Sequence, residues 1–339
     1  MQMKATYHCI LARTASVLLM TMALVPSIEA QEPDALIRTP TSQFHFERKR
    51  PGFFKKAEKR TAADQFAHAE TLRLKGEDKK ARKAYRNLVH SFHDSPEAPE
   101  AQRLYAESLV KKGKLEDAFL EYQYIVKYYP GKMSYKEVVS EQFKIANLIR
   151  VENENGLAMA GASTAKVLPL YEKIIENAPN WERAPEAQFF IGAIHEERKE
   201  YPQAIDAYER VMLRYPKSAF VSNAAFHRAN SLTAIANKNP RDEARAQQAL
   251  SSLVSVLRDY PSMPDADQAR TARDALKLRL SNMIFDRAVY YDNIAKRPEA
   301  AMVAYNDFLG RYPTSEQFDS VQKRVAVLQQ QIEEQKKSE

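Results

Sequence analysis

From Ala184 to Pro216 the apolar positions recur three and four residues apart, twice over, in APEAQFFIGAIHEERKEYPQAIDAYERVMLRYP. That spacing puts them on one face of each of two successive helices. In the second helix Ala204 is followed by Tyr208, Val211, Met212 and Tyr215 on a single stripe, and Pro216 closes it. The alanine lets a neighbouring helix come close, and proline disfavours helical geometry in the residue before it. The same frame recurs as Ala118, Tyr122, Ile125, Val126, Tyr129 and Pro130, and as Ala249, Leu253, Val256, Leu257, Tyr260 and Pro261. It returns once more as Ala301, Tyr305, Phe308, Leu309, Tyr312 and Pro313. Two looser copies are Val167, Tyr171, Ile174, Ile175, Ala178, Pro179 and Ala81, Tyr85, Leu88, Val89, Phe92, with His93 in the proline position.

Six copies of one helix-pair ending predict an all-α repeat protein, a right-handed superhelical α-solenoid of about six pairs. The pairs fall near 54–75 with 77–92, 97–112 with 114–129, 134–151 with 164–177, and 183–198 with 200–215. They continue as 218–236 with 241–260 and as 265–295 with 298–310, the long first helix of the last carrying Leu276, Leu280, Ile284, Ala288 and Tyr291. Gly76 and Gly113 stand where a helix must end in the left-handed conformation. The third pair is interrupted by ENENGLAMAGAS, a place for variation or a binding loop. From Thr314 to Glu339 the chain is polar on nearly all sides, as a helix capping an array should be. A lone pair cannot bury its stripe, so the anchors Ala118, Tyr122, Tyr129, Pro130, Ala204, Tyr208, Tyr215, Pro216, Ala249, Tyr260, Pro261, Ala301, Tyr305, Tyr312 and Pro313 are read as core or helix stops rather than ligand contacts.

Composition narrows the picture. Eight glycines in 339 residues suit a helical chain. The formal charge of +7 is spread over interleaved signs, a solvated helical surface that does not call for nucleic acid. Residues 1–30 read as a secretory signal: Lys4 and Arg13 lead, Thr14 to Val25 is apolar, and Ile28-Glu29-Ala30 precedes the expected cut. Residues 31–53 then form a disordered basic tether and 54–339 the repeat domain. Around their junction, Arg48, Lys49, Arg50, Lys55 and Lys56 stand among four phenylalanines, either a contact for an anionic membrane surface or a charged helix start. The single cysteine, Cys9, precedes the apolar run, so the mature chain has no disulfide, no thiolate and no cysteine to carry a lipid.

Nothing in the chain calls for catalysis, a cofactor or a metal. His90 and His93 are close in sequence but lack a third ligand. His195-Glu196-Glu197 lacks the second histidine of a zinc-protease helix, and Gly156 and Gly161 fit no phosphate loop. Trp181, between pairs, reads as packing at that junction.

The Ala…Tyr…Tyr-Pro ending resembles the tetratricopeptide repeat, although successive endings lie 37 to 52 residues apart where that family uses about 34. The order of features is more specific: YPKS at Tyr215, LVSVLRDYPSMPDADQAR, a long helix with Ala288-Val289-Tyr290-Tyr291, then RPEAAMVAYNDFLGRYPTS. Over roughly 60–330 this resembles the BamD (YfiO-like) outer-membrane assembly lipoproteins. The resemblance implies a non-enzymatic periplasmic scaffold associated with the outer membrane. Its N-terminal repeats would meet unfolded outer-membrane proteins and its C-terminal repeats the β-barrel assembly subunit. The other reading of the same repeats is a periplasmic adaptor in division or peptidoglycan machinery.

Overall fold

In the computed structural model the described residues are 56–155 and 160–338, with side chains described for 56–151 and 166–337. The chain divides into two units, Met1–Glu47 and Arg48–Glu339, and every described residue belongs to the second. The expected signal peptide (1–30) and tether (31–53) lie outside the described residues.

The described residues form thirteen α-helices and a π-helical turn, and no strand. They pair as α1 (Ala62–Leu74) with α2 (Asp78–Ser91), α3 (Ala98–Lys111) with α4 (Leu115–Tyr128), and α5 (Tyr135–Asn155) with α6 (Ala160–Asn177). Next come α7 (Ala184–Glu197) with α8 (Tyr201–Arg214), and α9 (Val221–Lys238) with α10 (Glu243–Asp259). The last pair is α11 (Ala266–Val289) with α12 (Pro298–Arg311), and α13 (Phe318–Ser338) ends the stack. Each helix packs on the next in chain order, so the unit is an all-α solenoid of helix pairs. The apolar stripes meet between helices: Tyr85, Tyr122, Tyr171, Tyr208 and Phe308 are among the largest fully buried side chains.

Two backbone devices set the repeat. Within a pair, the first helix ends in a left-handed residue, Gly76 (φ +72°) or Gly113 (φ +73°). The following amides, Glu77 and Lys114, donate back to Leu72 and Leu109, the six-residue closure of a Schellman ending. After α7 the same place is held by Lys199 at φ 59°, and Glu200 donates to His195 O. Between pairs, two turns follow one another. Ser95, Trp181, Ser218, Met263 and Ser315 each donate to the carbonyl three residues back, and the residue three further on donates to each of them. The next helix therefore starts six residues after Phe92, Ala178, Tyr215, Tyr260 or Tyr312. Trp181 stands where three of the other junctions have serine.

Several boundaries differ from the sequence reading. The first helix begins at Ala62, not near 54, because the Thr61 side chain caps it by accepting from Asp64 N–H. Ahead of it the buried Gln65 holds the chain, its Oε1 accepting from the amides of Glu58 and Lys59 and its Nε2 donating to Ala84 O. The long helix expected over 265–295 changes at Tyr290 into a π-helical turn, Tyr290–Ile294. The last helix is not polar all round: Val321, Leu328 and Ile332 are buried, with Val325 packed against the same core.

Candidate protein-interaction surface

Each stripe tyrosine brings a hydroxyl into the stack, and burial obliges it to find a partner. Tyr85 donates to Glu70 on α1, Tyr171 to Asn147 on α5 (2.5 Å), and Tyr208 to Glu196 on α7 (2.7 Å). Each link ties the second helix of a pair to the first. The carboxylates are themselves held by basic side chains: Glu70 by Arg73 (2.6 Å), and Glu196 by His227 Nδ1 at 2.8 Å. Because His227 lies on α9, the second contact reaches into the next pair. In the second pair Glu107 is taken by Arg103, one turn back, and the Tyr122 hydroxyl is buried without a hydrogen-bond partner. Burial is the main cause that pushes the Tyr85, Tyr122 and Tyr208 hydroxyls well above the ordinary phenol value, with the nearby carboxylates adding to it.

A denser version closes the C-terminal end. The π-helical turn places Asp292 in the core, where Arg324 of α13 binds it through two nitrogens, at 2.8 and 2.6 Å. Tyr305 donates to the same carboxylate at 3.3 Å. Arg324, and to a smaller degree Tyr305, hold the Asp292 carboxyl below its ordinary value of 3.8 against the opposing effect of burial. Burial, then Asp292, pushes the Tyr305 hydroxyl up to about 12.

At the surface, the turns α6–α7 and α8–α9 enclose an open groove of about 650 Å³ lined by Trp181, Pro185, Tyr215, Pro216 and Phe220, with Arg183, Arg214 and Lys217 beside Glu182 and Glu186 at its edge. Its shape is fixed from below. Tyr215 donates to Pro179 O (2.8 Å), Trp181 meets Phe143 edge-on at 5.3 Å, and the Arg183 guanidinium lies 4.2 Å over that same ring. The indole Nε1 of Trp181 is buried without a hydrogen-bond partner. Trp181 thus packs at the junction and also lines a groove with an apolar floor and a rim of both charges.

Ala118, Tyr122, Tyr129, Ala204, Tyr208, Ala249, Ala301, Tyr305 and Tyr312 are buried, and Tyr215 and Tyr260 are half-buried. Pro130, Pro216, Pro261 and Pro313 are exposed just past their helices. Arg48, Lys49, Arg50 and Lys55 lie outside the described residues, whereas Lys56 is described and exposed. Sequence reading missed the glutamines. Gln65, Gln102 and Gln188 stand twenty residues before Tyr85, Tyr122 and Tyr208 and are buried. Gln188 donates to Ala207 O as Gln65 does to Ala84 O. That fixed spacing was the available signal. Among the described residues no group of three or more His, Cys, Asp or Glu is placed to hold a metal ion.

Stacked helix pairs with these endings define a protein of the tetratricopeptide-repeat superfamily. A tetratricopeptide-repeat model matches residues 67–132, and the YfiO model, described as outer membrane lipoprotein, matches residues 171–338. The chain is a BamD-like member of that superfamily. Similar solved structures include the C-terminal part of a TPR repeat-containing protein from Cytophaga hutchinsonii (16% identity, 78% of this chain and 88% of that one, TM-score 0.33). Others are a thermophilic TPR protein of Thermus thermophilus (12%, 62% and 98%, 0.32) and a tetratricopeptide repeat protein of Parabacteroides merdae (12%, 79% and 98%, 0.30). No curated protein matches the chain at a significant level.

Proposed function

We propose that the chain is a non-enzymatic scaffold of the cell envelope that binds partner proteins in the assembly and insertion of outer-membrane β-barrels. The observation that carries this reading is the outer-membrane-lipoprotein family match across α7 to α13. A stack held by buried tyrosine–carboxylate links offers a preorganised surface, so a partner binds without first ordering the scaffold. On this reading the C-terminal repeats take the periplasmic domains of the barrel subunit and the N-terminal repeats take unfolded barrel proteins. The protein is exported, and Arg48, Lys49, Arg50, Lys55 and Lys56, with the neighbouring phenylalanines, hold it against the membrane in place of a lipid.

The test is a crosslinked pull-down of the tagged chain from envelope extract. Recovery of an outer-membrane barrel that carries periplasmic domains is expected. Recovery of division or peptidoglycan proteins instead would keep the fold and overturn the assignment.

A further inference from the structure

The net positive charge is not spread along the stack. Residues 93–339 carry 34 Lys and Arg against 35 Asp and Glu, whereas residues 56–92, the first helix pair and its approach, carry ten against five. Within that pair the excess lies on one helix. The buried side of α2 is Ala81, Ala84, Tyr85, Leu88 and Val89, and its other side carries Lys79, Arg82, Lys83 and Arg86. Those spacings of three and four residues align the four cations as a single ridge. Lys79 and Lys83 are exposed and Arg82 and Arg86 half-buried. The ridge is poorly neutralised: Lys83 has Glu58 at 3.5 Å, while Lys79, Arg82 and Arg86 form no ion pair among the described residues. The Nε of Arg86 is buried with no hydrogen-bond partner.

We propose that this face of α2 is a docking surface for anionic lipid headgroups, so that the first repeat itself lies against the membrane. The proposal rests on the membrane-associated reading given above and goes beyond it by placing the contact on a folded helix, not on the preceding segment. A cationic ridge with a single carboxylate contact, Glu58 at Lys83, and no apolar centre suits a diffuse sheet of phosphates. A protein interface of ordinary size is expected to have a largely uncharged core instead. Each such residue near an anionic surface strengthens partition by about fivefold at low salt, and the gain falls as the Debye length shrinks.

The full chain is sedimented with vesicles of phosphatidylcholine alone or mixed with phosphatidylglycerol. Binding should require the anionic lipid and weaken with salt. The exposed pair Lys79→Gln/Lys83→Gln, which touches no core, should lower partition by about 25-fold, and adding Arg82→Gln and Arg86→Gln should lower it further. A second variant with Arg48, Lys49, Arg50, Lys55 and Lys56 all changed to Gln should retain the part contributed by α2. Unaltered binding by the α2 pair overturns the proposal, and if the second variant alone abolishes binding, the contact belongs to the preceding segment. If the α2 pair keeps vesicle binding and loses a soluble acidic protein instead, the ridge is a protein site and the proposal falls. None of these outcomes bears on the pull-down, so the scaffold reading stands or fails separately.

Discussion

Tyr85, Tyr171 and Tyr208 serve two functions at once, filling a core position and donating a hydrogen bond across the pair. Tyr208 is the clearest case: its ring presses on Gly192 so closely that a β-carbon there would come within 2.6 Å of the ring. The corresponding positions in the first two pairs, Ala69 and Ala106, are fully buried alanines, so of these three pairs the fourth alone needs the smaller residue. Gly192→Ala is therefore expected to destabilise the chain by about 1–3 kcal/mol through overpacking, although alanine is the better helix former. A denaturant titration reads this directly, and an unchanged or raised midpoint would contradict the packing account. The tyrosine stripe was legible in the sequence because it keeps a fixed spacing. Its acceptors were not. Glu70 follows Gln65 by five residues, whereas Glu196 follows Gln188 by eight. A carboxylate one turn further along can still reach the same hydroxyl.

At the level of elements, helix pairs and their order could be read from the 3.6-residue period and the Tyr-Pro endings, and their ends could not. The start of α1 depends on the Thr61 cap and on the grip of Gln65 upon Glu58 and Lys59, both local polar contacts that an apolar period does not report. The π-helical turn escaped notice for a related reason: Leu276, Leu280, Ile284 and Ala288 keep helical spacing up to the turn. That turn sets Asp292 where Arg324 can reach it, and so docks α13 on the stack. Because the Asp292 carboxyl is held below 3.8 in the folded chain, its contribution is present above the ordinary carboxylate value and is lost as pH falls through the depressed one. Hydrogen exchange in α13 should therefore rise below about pH 4 before the interior helices respond. Asp292→Asn should loosen α13 at neutral pH and remove that acid step. Acid-independent protection of α13 in the parent chain would refute the link.

Over the whole molecule, the described helices pack chiefly on their neighbours in chain order, and α7 also meets α9. Its stability is accordingly a sum over pairs and their interfaces, with the apolar core running unbroken from α9 to α13. That continuous C-terminal core lies within the family match at 171–338, and it is the part for which the scaffold reading requires a rigid surface. Sequence order alone revealed this half, through YPKS and the long helix with Ala288-Val289-Tyr290-Tyr291. By contrast, the ridge on α2 was hidden in a chain whose total charge of +7 reads as mild. Only folding separates its cations from the carboxylates beside them in sequence. The central claim is that the C-terminal repeats bind the periplasmic domains of a barrel-assembly subunit. Titration of the full chain with those purified domains in a calorimeter measures it most directly. Saturable binding at micromolar or tighter concentration, about −8 kcal/mol or more, is the predicted result. The absence of binding, with the chain shown to be folded by its helical dichroism, would contradict it.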